Sequence, residues 1–160
     1  MAELSRNNDG SIVLRLAAEE AEVVRRLVQE MHALLRQGHR SGDVAVGRLF
    51  PDAYESEEDA AAFRDLVGDE LLQERIRGLD QLERTLGASG DIDVALSPDD
   101  VDVWLRTIND IRLTIGTRLE VDETKMAAEL DERDPEAPAL AVLHWLGWLQ
   151  ESFLESAGRS

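Results

Sequence analysis

The chain has 160 residues, no cysteine and a formal net charge of −17 at pH 7, from 34 acids against 17 cations. That length buries a real core without metal or disulfide support, and the missing cysteine excludes thiol catalysis, thiolate metal sites and disulfide sensing. The charge excludes direct binding to a phosphate backbone, which depends on clustered cations; here they are scattered and, apart from Lys125, all arginine.

The chain begins with a hairpin: a strand over 2–6, a turn through Asn7, Asn8, Asp9 and Gly10, and a strand over 11–16. Asp-Gly favours a tight turn because glycine accepts positive φ. In the second strand Ile12, Leu14 and Leu16 alternate with Val13 and Arg15, the period of a half-buried strand. A helix is predicted over 18–37, with Val23, Val24, Leu27, Val28, Met31, Leu34 and Leu35 as its apolar stripe and Gly38 as its stop.

The next stretch, GHRSGDVAVGRLFPDAYES, reads as a loop ending in Phe50 and Tyr54. Ser56 and Asp59 have capping-box spacing. Two helices are predicted after it, over 57–67 and 69–86, the second carrying Leu71, Leu72, Ile76, Leu79, Leu82 and Leu86 and closed by Gly87.

DIDVALSPDDVDVWLRTI, from Asp91, repeats the pattern of SIVLRLAAEEAEVVRRLV eighty positions earlier. Ile12, Leu14 and Leu16 match Ile92, Val94 and Leu96, and Glu19-Glu20 match Asp99-Asp100. Divergent duplication and coincidence account for the similarity equally well. A short strand needs a partner, so 2–6, 11–16 and 91–96 are expected in one small antiparallel sheet. Ser97 followed by Pro98 is a strong start for a helix over 98–119.

On that helix Val101, Trp104, Leu105, Ile108, Ile111, Ile115 and Leu119 make a stripe, and Arg112 falls inside it beside Leu105. Gly116 leaves room there for a backbone or a ring. Three arrangements fit Arg112: a salt bridge to a carboxylate of another helix, a polar cleft shared with Asn109 and Glu151 that binds an anion, or a stem lying along apolar surface with its head in water.

VDETKMAAELDERDPEAP is acidic and poor in large apolar residues, which predicts a mobile linker over about 121–136. The last helix, about 137–156, has two apolar faces. Val142, Trp145, Trp148, Leu149 and Phe153 form one, expected mostly in the core. Leu140, Leu143 and Leu154 form the other, to be covered by another helix of the chain or by a second subunit in a homodimer.

No metal or catalytic motif occurs. His32, His39 and His144 are far apart, with the first two expected on the surface and His144 bordering the stripe of its helix. There is no His-Glu-x-x-His, calcium loop, Gly-x-Ser-x-Gly turn or phosphate loop. Neither a catalytic residue, a metal nor a cofactor is expected. No apolar run approaches the ~20 residues of a membrane span, and the polar start MAELSRNNDG lacks a signal core, so a cytoplasmic protein is the default.

Three segments together, RLFPDAYESEEDAAAFRDLV, WLRTINDIRLTIGTRLEVDE and LHWLGWLQESFL, closely resemble an actinobacterial family catalogued mainly as a domain of unknown function. They span roughly 48–153 in matching order, and the start at 10–35 is also similar. One branch of that family is regarded as an oxidative-stress regulator acting on transcription through a sigma factor. The resemblance therefore implies a regulatory adaptor with a protein partner, a sigma factor in that branch. Without cysteine, thiol sensing does not carry over. Residues singled out within the segments are Trp104, Asn109, Asp110, Arg112, Gly116, Arg118, Trp145 and Trp148, with Phe153 beside them.

The sequence thus predicts a mainly α chain, α+β in the strict sense, forming one domain over 1–160 with about five helices and a two- to three-stranded antiparallel sheet. The expected role is a non-enzymatic regulator working through protein contacts. The rival readings are an enzyme or anion receptor with a cleft around Arg112, and an acidic mimic of nucleic acid.

Overall fold

The computed structural model of the chain describes residues 2–36, 57–118, 133, 135 and 137–158. In order these are β1 (Glu3–Arg6), β2 (Ile12–Leu16), α1 (Ala18–Arg36), α2 (Glu57–Leu86), β3 (Ile92–Leu96), α3 (Pro98–Arg118) and α4 (Ala137–Ser156). The architecture is mainly helical with a three-stranded sheet. Among the described residues there are four helices rather than about five, because the segments predicted over 57–67 and 69–86 are one helix of 30 residues. Gly68 sits inside it. A glycine weakens a helix interior by about 1 kcal/mol without ending it; the stop comes at Gly87, where φ is 66°.

The loop before α2, with Phe50, Tyr54 and Ser56 of the expected capping box, lies outside the described residues. So do His39, Leu119 and the predicted linker over 121–136, apart from the turn residues Arg133 and Pro135. None of the helices formed by described residues is long and apolar enough to cross a membrane.

The sheet has the order β1-β2-β3 and is antiparallel throughout. Ile12 pairs with Leu96, Leu14 with Val94 and Leu16 with Ile92, so the two similar strands are direct neighbours. The hairpin turn works as expected: Gly10 has φ 88°, and the Asp9 carboxylate accepts from the Ser11 amide at 3.0 Å and its hydroxyl at 2.6 Å. Ile12, Leu14, Leu16, Ile92 and Leu96 are all buried and turn one face of the sheet to the helices. On the other face Arg15 lies between Glu3 and Asp93, its partners in register.

The likeness between the two strand-helix units extends to how their helices start. At α3 the Asp100 amide donates to Ser97 Oγ at 3.1 Å while the Ser97 amide donates to Asp100 Oδ2 at 3.2 Å, a reciprocal capping box. At α1 Glu20, in the matching position, accepts from the Ala17 amide at 3.0 Å. Its other oxygen accepts from the Ala2 amide at 2.9 Å, tying the start of the chain to α1.

The core fills the space between the sheet and the four helices. Trp104 is at its centre, fully enclosed and packed on Phe153 with ring centroids 5.9 Å apart. Among the described residues the most buried cation is Arg25, 6% exposed. Its guanidinium crosses from α1 to the end of α2 and donates to the carbonyls of Leu86 at 2.6 Å, Gly87 at 3.1 Å and Gly90 at 2.8 Å. Carbonyls left over at a helix C-terminus need donors, and Arg25 supplies them. Helical spacing places it with Ala21, Val28 and His32, the same signal that draws attention to Arg112.

Several expected faces are turned. His32 is buried, 7% exposed, rather than on the surface, because the close packing of α1 on α2 encloses that side of the helix. Leu140 and Leu143 are buried within the single chain and Leu154 is half-buried. That side of α4 therefore does not call for a second copy, and the homodimer argued from it loses its basis.

Candidate protein-docking surface

The surface is built on α3 and α4, which run antiparallel: Trp104 meets Phe153 near one end, and Arg112 meets Gly147 and Gln150 further along. The buried arc of α3 contains Val101, Trp104, Thr107, Ile108, Asp110, Ile111 and Thr114. It is rotated away from the expected stripe, leaving Leu105, Arg112 and Ile115 half-buried. The cause is α2, which packs along Thr107 and Asp110 and draws that side inward. Gly116 meets nothing within 4 Å of where a side chain would begin, so it serves no close approach.

Arg112 lies flat against α4. A Cβ on Gly147 would come within 3.3 Å of its Nη2 and 3.6 Å of its Cζ, so the missing side chain makes the seat for the guanidinium. Arg112 Nη1 donates to the Gln150 side-chain carbonyl, while Nε is buried without an acceptor. Among the described residues the partner is thus an amide, not the carboxylate expected from the sequence. A neutral amide is sufficient because the head is only half-buried. Truncating Arg112 to alanine is expected to cost about 1 kcal/mol, the net worth of one such bond, rather than the several of a broken buried ion pair. A thermal melt of that variant checks it.

The carboxylate placed for an ion pair on α3 is Asp110, 6% exposed, and its cation is Arg75 of α2, with Nη1 3.3 Å from Oδ2. Burial pushes the Asp110 carboxyl up to about 6 from 3.8, against the pull of Arg75 and Arg106. This pair belongs to a polar seam between α2 and α3. Arg106 meets Glu74 at 3.1 Å, and Gln81 donates to Asp100 at 2.6 Å. Between them Gly78 lets Thr107 approach: a Cβ there would lie 3.1 Å from its hydroxyl. The seam fixes the docking of α2 on α3. Helical spacing puts Arg75 between Leu71 and Leu79, a signal that the sequence reading missed.

Of the residues singled out from the sequence, Trp104 and Phe153 are core. Asn109 is exposed and Asp110 faces α2, so the two neighbours serve different surroundings. Arg118 ends α3, and its side chain lies outside the described residues. His144 is half-buried.

Trp145 and Trp148 divide differently. Trp145 is half-buried, whereas Trp148, expected mostly in the core, is 45% exposed; it lies outside the arc of Leu143, Leu146, Leu149 and Phe153 that faces inward. Leu113, 44% exposed, is the other large apolar side chain in the open among the described residues. The two are related by geometry. Each follows by one residue a member of the Arg112–Gly147 contact, and in an antiparallel pair of right-handed helices those following residues turn to the same side. On the other flank of Trp148, one helical turn back, Trp145 joins Ala141, Val142 and Val23 in lining an open apolar groove of about 390 Å³, with Glu19 and Glu20 at its edge. Helical spacing thus places Leu113 and Trp148 on one side of the α3–α4 pair, with the groove between α4 and the start of α1 lined one turn before Trp148. Exposed tryptophan beside a groove is the type of feature that anchors protein contacts.

The profile of the family described as a domain of unknown function, DUF2017, matches residues 1–157. The chain is also similar to proteins named oxidative stress regulator AosR from Mycobacterium bovis and from two strains of Mycobacterium tuberculosis. Each is 30% identical over 133 residues, which is 73% of this chain and 60% of theirs. The match therefore spans less than two thirds of those relatives. No solved structure matches.

Proposed function

This chain belongs to the DUF2017 family, and we propose that it is a non-enzymatic regulatory adaptor that docks a partner protein on the Trp148 face of α4. The observation that carries this reading is the exposure of Trp148 on α4 and Leu113 on the neighbouring α3, with an apolar groove lined by Trp145 on the same helix as Trp148. The similarity to proteins named oxidative stress regulators supports a regulatory setting. Within that setting the partner is a component of transcription, a sigma factor being the one the sequence resemblance implies.

The charge fits the same reading. With a net charge of −17 and Glu19 and Glu20 beside the groove, the preferred partner segment is apolar on one side and basic on the other, and association is faster at low salt. A chain without cysteine does not sense oxidants by its own thiols, so an oxidative signal reaches it through the partner or through its amount.

Trp148→Glu is the test. Because Trp148 is nearly half exposed, the variant should melt close to the parent. Affinity capture from an actinobacterial cell should recover a sigma factor with the parent chain and lose most of it with the variant. Equal recovery by both would place the docking surface elsewhere.

A further inference from the structure

We propose that His32, Asp80 and Glu83 form a binding site for a first-row divalent metal ion of the zinc class, joining α1 to α2. The three side chains each offer one ligand atom, and these atoms lie within 4.8 Å of one another. Asp80 and Glu83 are three residues apart on α2 and so share one face of that helix. His32 reaches them from α1, with Nε2 2.8 Å from Asp80 Oδ1. A metal with ligands at about 2.0–2.2 Å holds neighbouring donor atoms roughly 3–3.5 Å apart. The His32–Asp80 pair, at 2.8 Å, is nearly at that spacing, and the flexible Glu83 side chain lies within reach of both.

Burial suits a site that is fixed at one end and open at the other. His32 is enclosed by the packing of α1 on α2, so its ring is held in place before any ion arrives. Asp80 is half-exposed and Glu83 exposed, which leaves an entry path and room for water to complete the coordination. One imidazole and two carboxylates neutralise a divalent ion. Imidazole nitrogen favours zinc, iron, nickel and copper over magnesium and calcium. Arg25 on α1 is seven residues from His32, about 10 Å along the helix axis; it lines a pocket together with Glu83, but its guanidinium is committed to three carbonyls. The spacing was invisible as a motif because 48 positions separate His32 from Asp80.

The experiment is calorimetric titration of ZnCl₂ into the full chain after treatment with chelator. One saturable site per chain is expected. Glu83→Gln removes a ligand from an exposed position, so its melting temperature without metal should equal the parent's while its zinc affinity falls by more than about tenfold, a loss that even outer-shell changes can produce. Asp80→Asn should weaken binding similarly, and His39→Ala should leave it unchanged. No saturable site, binding of equal strength in Glu83→Gln, or loss of binding in His39→Ala would overturn the assignment.

Discussion

Replacing Arg75 with alanine should destabilise the chain by about 3–5 kcal/mol at pH 8, and by distinctly less at pH 5. The first figure follows from leaving one member of a buried ion pair without its partner. Asp110 is the member left behind, and it is 6% exposed where α3 meets α2. At pH 5 the same carboxyl escapes by taking up a proton inside the fold, which caps the cost. Chemical denaturation at both pH values reads the difference.

The parent chain should show the same group in its own pH dependence. Burial raises the folded Asp110 carboxyl to about 6 from 3.8. A raised acid means that the folded state holds more protons than the unfolded one between those values. The stability linked to this group is therefore full below about pH 4 and is lost as pH rises through 6. A shift of about two units at 1.36 kcal/mol each makes this roughly 3 kcal/mol. Other carboxylates contribute their own slopes, so the comparison is with Asp110→Asn, which keeps the shape and cannot ionise. The parent should lose roughly 3 kcal/mol relative to that variant between pH 4 and 7, and Asp110→Asn should melt no lower than the parent at pH 8. A constant difference across that range would mean that Asp110 is already fully charged in the fold at pH 4.

The second large effect is expected at Arg25. Changing it to methionine keeps the unbranched stem and removes every donor, leaving the carbonyls of Leu86, Gly87 and Gly90 without their shared partner. A loss of about 3 kcal/mol is expected, since bonds from a charged donor are each worth more than 1 kcal/mol while water replaces some of those at the exposed glycines. Arg25→Lys should recover only a small part, because an ammonium is a point donor and cannot span three acceptors held in a fork. Guanidinium denaturation of the two variants checks the order. If lysine restores full stability, Arg25 acts as a charge near the helix end and not as a cap.

These residues also mark how far the sequence can be read. The hairpin, the pairing of the two similar strands and the start of α3 were legible because local chemistry dictates them: Asp-Gly at the turn, alternation at Ile12–Leu16, Ser97-Pro98 at the cap. The break expected near Gly68 was not there, because a glycine lowers helix stability without supplying the left-handed residue that ends one. On α3 the periodicity located the apolar stripe but not which flank another helix would cover. Asp110 and Arg112 were both picked out, yet it is Asp110 that carries a buried ion pair and Arg112 that meets an amide. The partners Arg75 and Gln150 come from other helices, at separations that no spacing rule reaches. Trp148 was legible as an aromatic of the last helix, but its exposure depends on where α3 and α1 leave that helix uncovered.

The docking of a partner on α4 is the central claim, and hydrogen exchange on the complex tests it most directly. With the captured partner protein bound, backbone amides over 141–152 of α4 and 18–23 of α1 should exchange more slowly than in the free chain, while the polar seam between α2 and α3 should be unchanged. Protection centred on the seam or on the sheet, with 141–152 exchanging as in the free chain, would contradict the account.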